Sequence, residues 1–416
     1  MIMDSMLAFG LVLATATQLR FGDTPFGPGE MCLVVWMGIC LFRQAGRPTL
    51  ASNPALSHVA TFWLILITAE SVGAIVGFAT ERFFDIAHII HDIAAYSFLC
   101  GVSCTMAVEL ASEHRRRVTW LVALFGTASL SLQVAHAYGL IRLPLPVDPW
   151  IYSVRLRGWS TDPNQLGLVA ALLTVISIHL ADTATSHVKM IAAAACAALT
   201  VPVGVLSLSD SFTVGMLAAS IVFLVVKSSL WLATFRRGVT FQAASVSLAL
   251  VGLPVIVAGA VPLIPAAIDR VEAKSDALYN EDNQGDARFH LWAEAYDKGM
   301  GAAMLGLGPG PHLTKKVWKE APPHKFESHN TPLELFVQGG LLALLAIVLL
   351  YASMFLATTR AKLPALAALS CAIVVFSLFH FIIRHPIFWF AVILCFLEAA
   401  FARSSRLMEN ADVAPP

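Results

Sequence analysis

HNTPLELFVQGGLLALLAIVLLYASMFLA, residues 329–357, decides the architecture of this chain. A polar pair, His329-Asn330, opens onto a run from Leu333 to Ala357 in which Glu334 is the one charged residue. A helix crossing the hydrocarbon core of a bilayer needs about 20 predominantly apolar residues, and this run supplies them. Working outward, the same pattern recurs at roughly 5–19, 30–42, 59–79, 93–111, 118–140, 165–181, 188–207, 212–232, 243–268, 363–383 and 386–402. Mean hydropathy is +0.74, with 57% of residues apolar and 13% charged, a composition outside the soluble α/β class. The expected fold is an all-α integral membrane protein of about 12 transmembrane helices, one polytopic domain over 1–416.

Net charge is +0 and the pI near 7.2, so a nucleic-acid partner has no electrostatic support. The seven cysteines, among them Cys100 and Cys104 one helical turn apart, all fall inside expected spans, and none has zinc-site spacing with histidine. Neither a metal nor a cofactor is expected. Asp4 is the one charge before Arg20, so the first segment lacks a basic n-region and reads as an uncleaved span. Counting Lys and Arg in short loops gives thirteen on the side of the termini against six on the other, which places both termini in the cytoplasm. The long loop before the tenth span then faces outward.

That loop, 269–332, is the polar exception in a greasy chain. It holds ARFHLWAEAY (287–296), a glycine-rich turn LGLGPGP (305–311) and His329-Asn330. Phe289, Trp292 and Tyr296 share one face of an expected helix over about 286–300, as in an amphipathic helix lying at the headgroup level. The turn ends that helix and lacks the Gly-Lys-Ser/Thr continuation of a Walker loop. A second outer loop, 143–164, ends in Asp162-Pro163-Asn164, which reads as a turn with an Asx cap on the following span.

Three segments together, RLRGWSTDPNQLG (155–167), ARFHLWAEAYDKGMGAAMLGLGPG (287–310) and HNTPLELFVQGGLLALL (329–345), resemble in order the R-x-x-G-x-x-x-D-P-N, R-x-x-x-W…G-x-G and His-Asn-x9-Gly elements of the O-antigen ligase/polymerase superfamily of bacterial membrane glycosyltransferases. The chain departs from the pattern at LSLSDSFTVG (206–215), where Asp210 stands in place of an arginine that members often carry. The resemblance implies a multi-pass protein of the bacterial inner membrane with both loops in the periplasm. Its implied partners are an undecaprenyl-diphosphate-linked glycan as donor, a lipid A–core or glycan hydroxyl as acceptor, and the membrane lipids. It implies no cofactor and no metal. The implied products are lipopolysaccharide O-antigen or exopolysaccharide.

Such a transfer must hold a diphosphate leaving group and ready a hydroxyl. Arginine suits the first task, because its planar fork grips phosphate oxygens bidentately; Arg155 and Arg288 sit on separate outer loops beside membrane boundaries. Headgroup snorkelling or pairing with loop carboxylates is the plain alternative. Histidine suits the second task, and within its motif His329 is the expected general base, an acceptor-orienting or phosphate-binding role being the alternative. Arg288 and His329 are thus the expected catalytic pair, with Arg155, Asn164 and Asn330 binding substrate. His312 and His324 match no motif and read as solvated loop residues, and His380 and His385 beside Arg384 read as pocket edge or headgroup contact. Glu70, mid-span, fits either an interior polar pair or the pathway of a rival class, a flippase or transporter.

Overall fold

A computed structural model describes residues 1–22, 24–45, 53–81, 85–111, 114–233, 284–314 and 326–412. The expected span 243–268, the first part of the long loop (269–283) and His324 lie outside the described residues. Twelve α-helices are described: α1 (Ile2–Leu13), α2 (Pro28–Gln44), α3 (Pro54–Thr80), α4 (Ile86–Glu109), α5 (His114–Ala137), α6 (Pro163–Asp182), α7 (His187–Leu206), α8 (Asp210–Ala233), α9 (Gln284–Gly301), α10 (Thr331–Arg360), α11 (Pro364–Ser377) and α12 (Pro386–Asp412). The protein is an all-α membrane protein. Eight of these helices, α3 to α8, α10 and α12, are long and apolar enough to cross a bilayer by length and composition.

Helix starts follow local chemistry. Asn53, Asp162 and Asn330 cap α3, α6 and α10 through side-chain oxygens, each followed within two positions by a proline that needs no donor there. The expectation for 165–181 is met, and the Asx cap at Asp162 is present.

Two expected segments need correction. The span placed at 5–19 is a twelve-residue helix, Ile2–Leu13, followed by a 3-10 turn at Thr17–Leu19. Thr17 there hydrogen-bonds Gln165 (2.9 Å) and contacts the Thr161 hydroxyl (3.1 Å), a tie that pulls the chain out of helix toward the start of α6. The segment 30–42 lies within the seventeen-residue α2. The segment 363–383 stops being helical at Ser377. Thr331 donates to the His380 carbonyl (2.6 Å) and accepts from the Ile382 amide (3.0 Å), which holds 378–385 as an irregular polar turn. Phe381, Ile382 and Ile383 are buried by protein, yet in sequence they look like the end of a lipid-facing run.

α6 lies at the centre of the bundle: 94% of its most apolar window is buried, with α5, α7, α8, α11 and α12 packed around it. One end of the bundle is tied by ion pairs, Arg117 to Asp4 (3.0 Å), Arg115 to Glu398 (2.7 Å) and Lys227 to Asp182. The 3-10 turn, the loop leading into α6, α9 and the turn 378–385 gather at the other end.

α10 is broken at Gly340, whose φ of 65° and ψ of −159° are non-helical. Within a bilayer the freed backbone groups need partners from protein. The glycine-rich turn provides them: Leu307 and Gly308 amides donate to the carbonyls of Val337 and Gln338 (both 2.8 Å), and the Leu341 amide donates to Met304 (2.9 Å). Gly73 and Gly77 of α3 permit this splice, since a Cβ on either would fall 2.4 Å from Gln338 O or 2.2 Å from Leu307 O. Small residues one turn apart are the usual means of such close approach between membrane helices. A Cβ at Gly340 would meet Met304 O at 2.1 Å, in the left-handed region besides. Gly340→Ala is therefore expected to destabilise the fold by at least the ~1–3 kcal/mol typical of a strained residue, read as a lower unfolding temperature of the purified protein in nanodiscs. An unchanged temperature would show that the break does not depend on glycine.

Candidate functional site

Arg155 reaches the site on a two-stranded hairpin that reads in sequence as plain loop. β1 (Trp150–Ile151) pairs antiparallel with β2 (Arg155–Leu156). Its turn places Tyr152 and Ser153 both at positive φ (52° and 57°), the type I′ pattern that matches strand twist. The Arg155 guanidinium donates to Asn164 Oδ1 (3.1 Å) and to the Ser207 carbonyl (3.3 Å). Asn164 in turn donates through its side-chain amide to Asp162 (3.0 Å). Asn164 thus holds the arginine, and the two lie together as their shared motif suggests. Burial lowers the Arg155 pKa, opposed by the Asp162 and Asp210 carboxylates and reinforced by Arg288. Asp210, the departure from the family pattern, therefore stands at the first residue of α8 within electrostatic reach of Arg155.

α9 forms over Gln284–Gly301, close to the expected 286–300. It turns Leu291 and Ala295 inward and leaves Phe289 and Tyr296 exposed, as an amphipathic surface helix does. Arg288 is half-buried on it. One turn on, Trp292 donates its indole N–H to the Ser328 carbonyl (3.0 Å). The helix that carries the arginine thus also grips the residue before His329.

His329 sits at φ 51°, a conformation a non-glycine residue holds only when its surroundings fix it. Those surroundings are specific. The Ser328 amide donates to Glu334 Oε2 (2.6 Å), and the Ser328 hydroxyl donates to the Asn330 carbonyl (3.0 Å). Asn330 Oδ1 accepts from the Leu333 amide (3.0 Å), and Asn330 Nδ2 donates to the Leu378 carbonyl (2.9 Å). Both ends of the Asn330 amide are occupied by protein, so this residue fixes the entry to α10. The His329 side chain itself is exposed and opens into a cleft.

The cleft, of about 160 Å³, is lined by His329 and His380, by Arg20, Asp162, Asn164 and Gln165, and by Glu327, Arg384 and His385. Thr331 of α10 holds the His380 backbone at the cleft. Burial pushes the His380 imidazole down to about 3, and Arg288, His329 and Arg155 add to the push. Burial, then Arg20, His380 and Arg384, hold His385 at about 3 too, against the pull of Asp162. Of the expected residues, Asn164 and His329 line this cleft; Arg155 is bonded to Asn164 beside it, Arg288 lies within electrostatic reach of His380, and Asn330 caps the helix that His329 precedes.

Sequence reasoning missed Arg20, Gln165 and Glu327, and left Arg384, His380 and His385 undecided. Arg384 bridges Asp92 (2.7 Å) and Glu327 (2.6 Å), its guanidinium over the Phe381 ring at 4.6 Å. Asp92 also accepts the Gly310 amide (3.1 Å), and Gln338 bonds Tyr96 (2.8 Å) beside it. The available signal was a charged residue, Asp92, at the edge of an apolar run, since intramembrane carboxylates usually pair. Glu70 lies close enough to Asp92 and Arg384 to interact with both. Glu294 accepts from Thr314 (2.6 and 2.8 Å), outside the cleft. His312 is buried rather than solvated, because it bonds the Gly308 carbonyl (2.8 Å) and belongs to the glycine-rich turn.

No curated protein matches the chain. The O-antigen ligase family model matches residues 194–348, a stretch that includes Arg288 and His329 and leaves out Arg155 and Asn164. An O-antigen ligase match over the segment that carries two of the three motifs, within an all-α membrane bundle, supports placing this chain in the O-antigen ligase/polymerase superfamily.

Proposed function

We propose that the protein transfers a glycan from an undecaprenyl-diphosphate carrier to a sugar hydroxyl at the periplasmic face of the bacterial inner membrane. The reading is ligase-like, with lipid A–core as acceptor; a repeat-unit polymerase would run the same chemistry on a glycan acceptor. The observation that carries this reading is that one end of the bundle holds His329 and Asn164 in one cleft, Arg155 bonded to Asn164, and Arg288 on the helix whose Trp292 grips Ser328. Two arginines offer the diphosphate charge and fork geometry. His329, exposed into the cleft, takes the proton of the attacking hydroxyl, with direct displacement and inversion at the anomeric carbon. The test is the glycan profile of a deletion strain. Loss of a ligase leaves polymerised glycan on the lipid carrier, and loss of a polymerase leaves single repeat units; an unchanged profile would contradict both.

The same reading puts the loops 143–164 and 269–332 in the periplasm and both termini in the cytoplasm, in keeping with the lysine and arginine distribution. In a background without native cysteines, Tyr152→Cys on the exposed hairpin turn is expected to label with an impermeant thiol reagent in intact spheroplasts. Ser405→Cys on the opposite end is expected to label only after lysis. The reverse pattern would overturn the orientation.

A further inference from the structure

The cleft and Arg155 differ in how their charges are balanced. Arg155 donates to neutral groups, Asn164 Oδ1 and the Ser207 carbonyl, with the Asp162 and Asp210 carboxylates near it. A guanidinium held by neutral acceptors keeps its charge for an anion. The arginines lining the cleft are neutralised instead. Arg20 donates twice to Glu30 Oε1 (3.1 and 2.9 Å), and Arg384 is bound between Asp92 and Glu327. His380 and His385 carry no charge near neutral pH, because burial first and the arginines second hold both at about 3.

What the cleft wall leaves open is one hydrogen-bond donor and one acceptor. Gln165 uses its carbonyl oxygen to accept from Thr17 (2.9 Å) and Thr161 (3.4 Å), while its Nε2 donates to nothing among the described residues. Glu327 gives Oε1 to Arg384, and its Oε2 is unbonded among the described residues. A donor and an acceptor left open in one small cavity suit a hydroxyl pair, since each hydroxyl both donates and accepts.

We propose that this cleft is the acceptor-sugar subsite, taking a neutral polyhydroxyl ring through Gln165 Nε2 and Glu327 Oε2 and presenting one hydroxyl to His329. It rests on the transfer reading above and adds to it a division of the site: diphosphate at Arg155 and Arg288, acceptor in the cleft. Arg384, held by Asp92, is a positioning residue that fixes Glu327.

The test uses the purified full chain in nanodiscs and two probes, inorganic pyrophosphate and a panel of methyl hexosides and heptosides, with binding followed by saturation-transfer NMR and competition. Gln165→Ala and Glu327→Ala are each expected to weaken saccharide binding about tenfold and to leave pyrophosphate binding as in wild type. Gln165→Ala leaves the Arg384 pairs intact, so it reports on the cleft even if the Glu327 variant folds poorly. Arg288→Lys is expected to weaken pyrophosphate and spare the saccharide. Competition between pyrophosphate and saccharide, with pyrophosphate lost in the cleft variants, would overturn the subsite, as would absence of binding across the panel. Failure of Arg288→Lys to affect pyrophosphate, with the saccharide arm intact, would instead count against the diphosphate reading.

Discussion

His329→Ala is expected to abolish glycan transfer while leaving the lipid-linked donor bound. General-base catalysis contributes about 10²–10⁴-fold, so the loss is large enough to read directly with purified donor. The structure sharpens the expectation. The imidazole is exposed into the cleft, while the backbone around it is held by Glu334, Trp292 and the Asn330 cap. Truncating the side chain removes none of those bonds, so the protein level and unfolding temperature of the variant should match wild type. His329→Gln, which keeps hydrogen bonding but takes up no proton, should be nearly as inactive as the alanine variant. A glutamine variant with wild-type rate would reduce His329 to an orienting residue. Loss of donor binding with the alanine would move it to the diphosphate site. Glu334, beneath the same turn, would then be the next candidate for the base.

Arg288→Lys is expected to lose most activity at normal protein level. A lysine keeps the charge but offers a compact point where the guanidinium offers a planar fork, and bidentate sites do not tolerate the exchange. The expected signature is a fall in transfer rate together with weaker donor binding. Because Trp292 on the same helix grips Ser328, Arg288→Lys should leave the His329 turn in place. Equal activity of the lysine and arginine forms would make Arg288 a headgroup contact.

Much of the helical frame was legible because crossing a bilayer demands long apolar runs, and α3 to α8, α10 and α12 supply them. α9 was legible from its aromatic face and from the glycines that follow it. The misreadings have a common cause. Phe381, Ile382 and Ile383 are apolar because protein covers them, and composition alone does not separate that from lipid exposure. At α1 the early stop depends on Thr17 meeting Thr161 and Gln165, 144 and 148 residues away, and no local pattern announces such a contact. Arg155, Asn164, Arg288 and His329 could be named as candidates because each lies in a motif whose chemistry can be argued residue by residue. Arg20, Gln165 and Glu327 lie in no such motif. They join the site through the fold, as does the Asp92–Arg384–Glu327 bridge between α4, the turn 378–385 and the segment before His329. Asn330 shows the opposite case: a motif residue whose amide is occupied by the helix cap and by Leu378.

The most direct measurement is a reconstitution. Purified protein in liposomes is given undecaprenyl-diphosphate-linked glycan and an acceptor panel of lipid A–core and glycan, with the lipid products and the new anomeric linkage followed together. The expected result is cleavage of the donor, release of undecaprenyl diphosphate and a glycosylated acceptor whose new linkage is inverted, all lost in His329→Ala. Passage of the intact donor to the opposite leaflet without cleavage, unaffected by His329→Ala, would contradict it and identify a flippase.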